Sequence, residues 1–231
     1  MFPLYSEHEL SRTPFATYLL IAANIAMFLH QILPGAFNQS IFTYGVIPAA
    51  VFHPGADPFR SPIPVPLTFL TAMFSHGGWI HLLSNMMYLW AFGRDVEEDF
   101  GFFRFLWFYL LTGIISTLVF VFAFPASTVP LVGASGAISG ILGAYFLRFP
   151  GRKIHTLFFF IIFFRILPVP AFVLLGYWAL IQFLSCAANC TAGAAGEGGV
   201  AWLAHIGGFV AGMVWTILIL RKRYYQRKFG Y

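Results

Sequence analysis

Charge is what this sequence has least of. Only 9% of its 231 residues are Asp, Glu, Lys or Arg, against about 25% in a soluble domain, so the chain cannot clothe a water-facing surface. Cysteine is limited to two residues, which excludes a small secreted scaffold held by disulfides. So little polar residue excludes a disordered chain and a nucleic-acid binder. What fills the space is apolar: 59% hydrophobic and 19% aromatic residues, with a mean hydropathy of +0.80. This is the composition of an integral membrane protein. At about 20 residues per span, the length holds six or seven spans and no large soluble domain.

Uncharged apolar runs lie at Phe15 to Leu33, Gly77 to Gly93, Phe105 to Phe124, Ser135 to Leu147, within Thr156 to Ser185, and Val200 to Leu220. They predict six helices. The fifth run, about 45 Å as one helix, exceeds a core of about 30 Å, and Arg165, Pro168 and Pro170 interrupt it. Leu157 to Phe164 is therefore expected at the interface, with the span from about Ile166 to Ser185. A single tilted helix would bury an unpaired Arg165, which is costly. The expected organisation is an amino-terminal segment 1–14, a six-helix domain 15–220 and a basic tail 221–231.

Basic residues are retained on the cytoplasmic side of short loops. With six spans, twelve of the 13 Lys and Arg residues fall on one side and only Arg60 on the other, which predicts cytoplasmic termini and accounts for the net charge of +5 as a topology signal. No cleavable signal pattern precedes the first span. The first outer loop, Pro34 to Pro66, holds seven prolines and is expected to be a structured cap. The fifth, Cys186 to Gly199, contains both cysteines, which could pair, stay free or serve as small residues.

Polar residues inside spans are functional candidates: Asn24, His30, Gln31, His81, Asn85, Ser135, Ser139, Gln182 and His205, with His76 at a helix mouth. Counted from the basic residue that ends each helix, Ser135 and His81 each stand 13 residues up and His205 16. At about 1.5 Å per residue, three groups from three helices meet near one level, about 5 to 10 Å beneath the outer surface.

Ser135 lies in Gly133-Ala134-Ser135-Gly136 at a helix start. Irregular backbone is tolerated in a bilayer only where it lines a water-filled cavity, and the free amides of a helix start suit an oxyanion. Taken alone, Gly133, Gly136 and Gly140 could equally be helix-packing positions. Gly208 and Gly212 form a G-x-x-x-G face that His205 shares, so contact with the glycine-rich fourth helix would carry the imidazole towards Ser135 as a general base. His81 and Asn85, four residues apart, share a helical face and can donate to an oxyanion with the Ser135 amide. His76 points about 140° away. All eight acids fall in termini or loops by this division, so no carboxylate is available for a Ser-His-Asp triad. No H-E-x-x-H zinc site occurs. The expectation is a serine-histidine dyad with no metal and no cofactor.

These motifs resemble the rhomboid family of intramembrane serine proteases: His76-Gly77-Gly78-Trp79-Ile80-His81 through Asn85, then Gly133-Ala134-Ser135-Gly136, then Ala204-His205-Ile206-Gly207-Gly208 through Gly212, with Phe92-Gly93-Arg94-Asp95-Val96-Glu97-Glu98 like the family's junction after the second helix. The resemblance runs from about Phe15 to Leu220. It implies an all-α, six-transmembrane-helix bundle, with Ser135 as nucleophile, His205 as base, and His81, Asn85 and the Ser135 amide as oxyanion hole. The substrate it implies is a single-pass membrane protein that approaches beside the fifth helix. The family's Trp-Arg pair in the first loop is absent, since Pro66-Leu67-Thr68-Phe69 stands there. Two rival functions use the same residues, a rhomboid-like protein that binds membrane clients without cleaving them, and a small transporter. A six-span chain of this kind is expected in a prokaryotic plasma membrane, with lipid and membrane proteins as partners and no nucleic acid.

Overall fold

The computed structural model describes residues 2–53, 55, 61–160, 163–191 and 201–229. The elements run β1 (Phe2–Ser6), α1 (Phe15–Gln31), α2 (Phe37–Tyr44), α3 (Pro48–Phe52), α4 (Val65–Thr71), α5 (Trp79–Tyr88), a π-helical turn (Leu89–Gly93) leading into α6 (Arg94–Phe100), α7 (Phe102–Ala123), α8 (Ser135–Arg148), β2 (Lys153–Phe160), β3 (Phe163–Pro170), α9 (Ala171–Thr191) and α10 (Trp202–Phe229). Five of the six apolar runs fall on helix, and the fifth run does so only from Ala171 onward. Among the described residues, stretches of α7, α9 and α10 are long and apolar enough to cross a bilayer, and α1 is apolar but shorter.

The short α8 lies in the middle of the bundle, and its small residues are the reason. A methyl on Gly143 would overlap the Phe209 carbonyl oxygen of α10, and one on Gly136 the Ser116 hydroxyl of α7; on Gly140 it would come within 2.5 Å of the Thr112 side chain. Backbones approach this closely only where a side chain is missing, and in lipid that approach supplies the van der Waals contact that holds helices together. Around it Phe92, Phe105, Phe108, Tyr109, Ile141 and Tyr145 are fully buried.

One end of the bundle is tied by acids. Glu97 accepts from the Ala16 and Thr17 amides (2.8 and 2.7 Å) and the Thr17 hydroxyl (2.8 Å), satisfying the free donors at the start of α1 from another helix. Asp95 accepts from the Tyr145 hydroxyl (2.7 Å) and Arg152 Nη1 (2.9 Å), and Asp99 takes a two-point bond from Arg148 (2.7 and 2.8 Å). This corrects the placement of all acids in loops. Asp95, Glu97, Glu98 and Asp99 are helical, and Asp95 and Glu97 are buried, because each has partners enough to offset its desolvation. Asp57 and Glu197 lie outside the described residues.

The all-α expectation is also corrected. An antiparallel sheet of order β1-β2-β3 is present, with Lys153 opposite Pro170 and Phe159 opposite Phe164, and β1 alongside β2. The stretch expected at the interface is thus a strand pair. Its aromatic and β-branched residues suit a pleated surface, and Pro168 and Pro170 are tolerated on an edge strand but not inside a helix. For the same reason the fifth helix begins at Ala171, not Ile166, and Arg165 is exposed on β3. α9 runs on to Thr191, so Cys186 is helical and not in a loop; the rest of that loop, 192–200, lies outside the described residues. Within the first loop, α2 and α3 are tied to the segment before α8 by Ala49 N–H to Ser127 O (2.9 Å) and by Val46 pairing with Leu131.

Candidate active site

Ser135 is reached along a pinned path. Leu131 N–H donates to Val46 O and Gly133 N–H to Ala72 O, both at 2.8 Å. Gly133 has φ +123°, which L side chains rarely adopt, and a Cβ there would stand 2.7 Å from His81 Nε2. Glycine is needed here for the turn and for room beside the imidazole, not for helix packing. With Ala134 as cap, Ser135 is the first residue of α8, and its amide has no carbonyl partner one turn back.

His205 sits in the first turn of α10. Its Nε2 is 2.8 Å from Ser135 Oγ, and its Nδ1 is 2.7 Å from Gln182 Oε1 on α9. Glycine sets that approach too, since a methyl on Gly208 would overlap the Gly136 carbonyl oxygen, and one on Gly212 that of Gly140. Ser116 of α7 donates to the carbonyl of Ala204 at 2.7 Å, fixing the backbone just before His205. Trp178 lies 6.2 Å from the imidazole at an interplanar angle of 37°.

His81 sits in the first turn of α5, and Gly77 N–H donates to its Nδ1 at 3.2 Å. That nitrogen therefore holds the lone pair and Nε2 carries the proton, beside Gly133. Asn85, one turn on, spends one amide N–H on the His81 carbonyl (2.9 Å) and keeps the other. Ser135, His205, His81 and Asn85 line one cavity of about 880 Å³. Four of the other polar candidates, His76, Gln31, Asn24 and His30, stand apart from it. His76 is fully buried behind His81, with ring centroids 5.1 Å apart. Gln31 accepts from the His76 amide (2.9 Å), Asn24 bonds within its own helix, and His30 meets Tyr44. Ser139 lines the same cavity, with its hydroxyl turned back onto the Ser135 carbonyl (2.7 Å). No cluster of three metal-ligating side chains occurs among the described residues.

Gln182 is the residue that sequence reasoning left without a role. A signal existed: it is a lone amide in an apolar helix, and no carboxylate was available for His205.

Comparisons with known proteins give the family. The yeast mitochondrial protein named Rhomboid protein 1 is 33% identical over 168 residues, 70% of this chain and 44% of its own length. Rhomboid protease GluP of Bacillus subtilis is 38% identical over 133 residues, 57% of this chain and 24% of its own. Rhomboid-like protein 11 of the Arabidopsis thaliana chloroplast is 45% identical over 73 residues, 32% of this chain and 26% of its own. The chain thus spans less than half the length of each of these relatives. The family model described as Rhomboid domain matches residues 65–222, more than half of the sequence, and the chain belongs to the rhomboid family.

Proposed function

We propose that this protein is an intramembrane serine endopeptidase that cleaves single-pass membrane proteins near the outer face. The observation that carries it is the 2.8 Å contact between Ser135 Oγ and His205 Nε2 inside a cavity shared with two hydrogen-bond donors. His205 takes the Ser135 proton as Oγ attacks the scissile carbonyl. Charge developing on the carbonyl oxygen is met by the Ser135 amide, His81 Nε2–H and the free N–H of Asn85. His205 returns the proton to the leaving amine, and water admitted to the cavity resolves the acyl-enzyme.

The six apolar helices cross the bilayer, with both termini cytoplasmic and Pro34 to Pro66 as an outer cap, and the expected setting is a prokaryotic plasma membrane. The polar depth argument and the basic-residue asymmetry support that placement. The substrate approaches beside α9, where Phe172, Tyr177, Leu180, Phe183 and Leu184 are exposed among the described residues.

Ser135→Ala is expected to abolish cleavage of a reporter transmembrane substrate while the chain still inserts. A fluorophosphonate should label Ser135 in the unsubstituted protein and fail to label it in His205→Ala. Cleavage that survives Ser135→Ala would overturn the proposal. Absence of labelling in an inserted, folded chain would favour a transporter or a client-binding protein.

A further inference from the structure

We infer that Gln182 is the positioning residue for the general base, selecting the tautomer in which His205 can accept the Ser135 proton. This rests on the serine-protease function proposed above and adds an element to it.

The chemistry follows from which atoms face each other. Gln182 Oε1 has lone pairs and no hydrogen, so its 2.7 Å contact with His205 Nδ1 is a bond in which Nδ1–H donates. A neutral imidazole protonated at Nδ1 has its lone pair on Nε2, the nitrogen 2.8 Å from Ser135 Oγ. The opposite tautomer would present N–H to the hydroxyl and could not take its proton. Without an acceptor at Nδ1 nothing in this contact favours one form over the other.

The same cavity holds the mirror case. His81 Nδ1 receives an N–H from Gly77, which forces the proton onto Nε2 and makes that ring a donor. One imidazole is thus set as acceptor by an oxygen and the other as donor by an amide.

Burial makes the choice of a glutamine intelligible. Gln182 is 5% exposed in a helix otherwise turned largely towards lipid. A carboxylate there would bear a large desolvation cost, whereas a neutral amide orients the ring at far lower cost. Trp178, one turn before Gln182 on the same helix, lies beside the ring with centroids 6.2 Å apart. Base and nucleophile therefore reside on α10 and α8, while the orientation of the base comes from α9, the helix along which the substrate is proposed to approach.

The test uses the purified full chain in proteoliposomes with a cleavable reporter span. It measures kcat, KM, the pH profile and fluorophosphonate labelling for the unsubstituted protein, Gln182→Leu, Gln182→Glu and Ser135→Ala. Gln182→Leu keeps the volume and removes the acceptor, so kcat should fall on the order of 10²-fold with KM unchanged and slower labelling. Gln182→Glu restores the acceptor, so it should recover much of that kcat and move the acidic limb to higher pH, because a carboxylate favours imidazolium. Gln182→Leu as active as the unsubstituted protein would overturn the inference. Should Gln182→Leu not fold, Gln182→Met is measured in its place: kcat equal to that of the unsubstituted protein overturns the inference, and a fall in kcat at unchanged KM supports it. Loss of cleavage in Ser135→Ala beside unaffected Gln182 variants rejects this inference alone, whereas cleavage by Ser135→Ala rejects the serine chemistry itself.

Discussion

The register between α8 and α10 can be tested with one methyl group. In Gly212→Ala the new Cβ would stand 2.7 Å from the Gly140 carbonyl carbon and 2.8 Å from its Cα, where ordinary contact begins at 3.4 Å. Backbone cannot swing aside as a side chain can, so α10 must back away by at least the shortfall from 2.7 to 3.4 Å, about 0.7 Å. His205 lies two turns along the same rigid helix, and an equal shift would lengthen its 2.8 Å contact with Ser135 Oγ to about 3.5 Å, beyond hydrogen-bond range for a hydroxyl donor. Overpacking of this kind costs about 1–3 kcal/mol, and misplacement by about 1 Å can cost about 10²-fold in rate. The expected outcome is a lower midpoint in detergent-titrated unfolding together with a loss in kcat of about 10- to 10²-fold. Gly176→Ala on α9 is the control, since its methyl would meet nothing within 4 Å and should leave stability unchanged or raised by up to about 1 kcal/mol. Gly212→Ala with stability and kcat equal to the unsubstituted protein would refute the claim that glycine-mediated contact sets the distance between Ser135 and His205.

Two further predictions concern the charged end of the bundle. Glu97→Ala strands the Ala16 and Thr17 amides, both buried, and should lower stability by about 3 kcal/mol in the same unfolding assay, with Glu97→Gln recovering part of it; an unchanged midpoint would show that water serves those amides equally well. Burial alone would raise the Glu98 carboxyl, but bonds from Ser11 and His8 outweigh it and hold it below its ordinary value. A group lowered in the folded state adds stability above its unfolded value and loses it as pH falls through the folded one. Amide protection factors at residues 8–11, taken relative to intrinsic exchange at each pH, should therefore hold near pH 5 and fall below about pH 4, and equal protection at pH 5 and pH 3 would count against the Glu98 anchor.

Much of the site is visible in the sequence because a bilayer makes polar residues conspicuous. Ser135, His81, Asn85 and His205 stand out among apolar neighbours, and helical rise alone brings Ser135, His81 and His205 near one level. The glycines are equally visible, although Gly133 serves a turn and a histidine whereas Gly208 and Gly212 serve a helix contact. Where inference from sequence goes astray, the competing signals are local and ambiguous. A stretch rich in phenylalanine and isoleucine suits an interfacial segment and a strand alike, and only its pairing with Phe2–Ser6, some 150 residues away in the chain, decides for the sheet. The acids after Gly93 look like loop charges until the α1 amides, Tyr145 and Arg152 are placed around them.

Composition and the apolar runs thus determined the membrane class, most of the helical segments and the polar residues that the candidate site gathers, because each is a property of the chain read along its length. Which atoms face each other was decided only in three dimensions. The pairing of Ser135 with His205, the proton positions on the two imidazoles and the recruitment of Gln182 depend on helices meeting at glycine contacts, and no spacing along one helix encodes its distance from another.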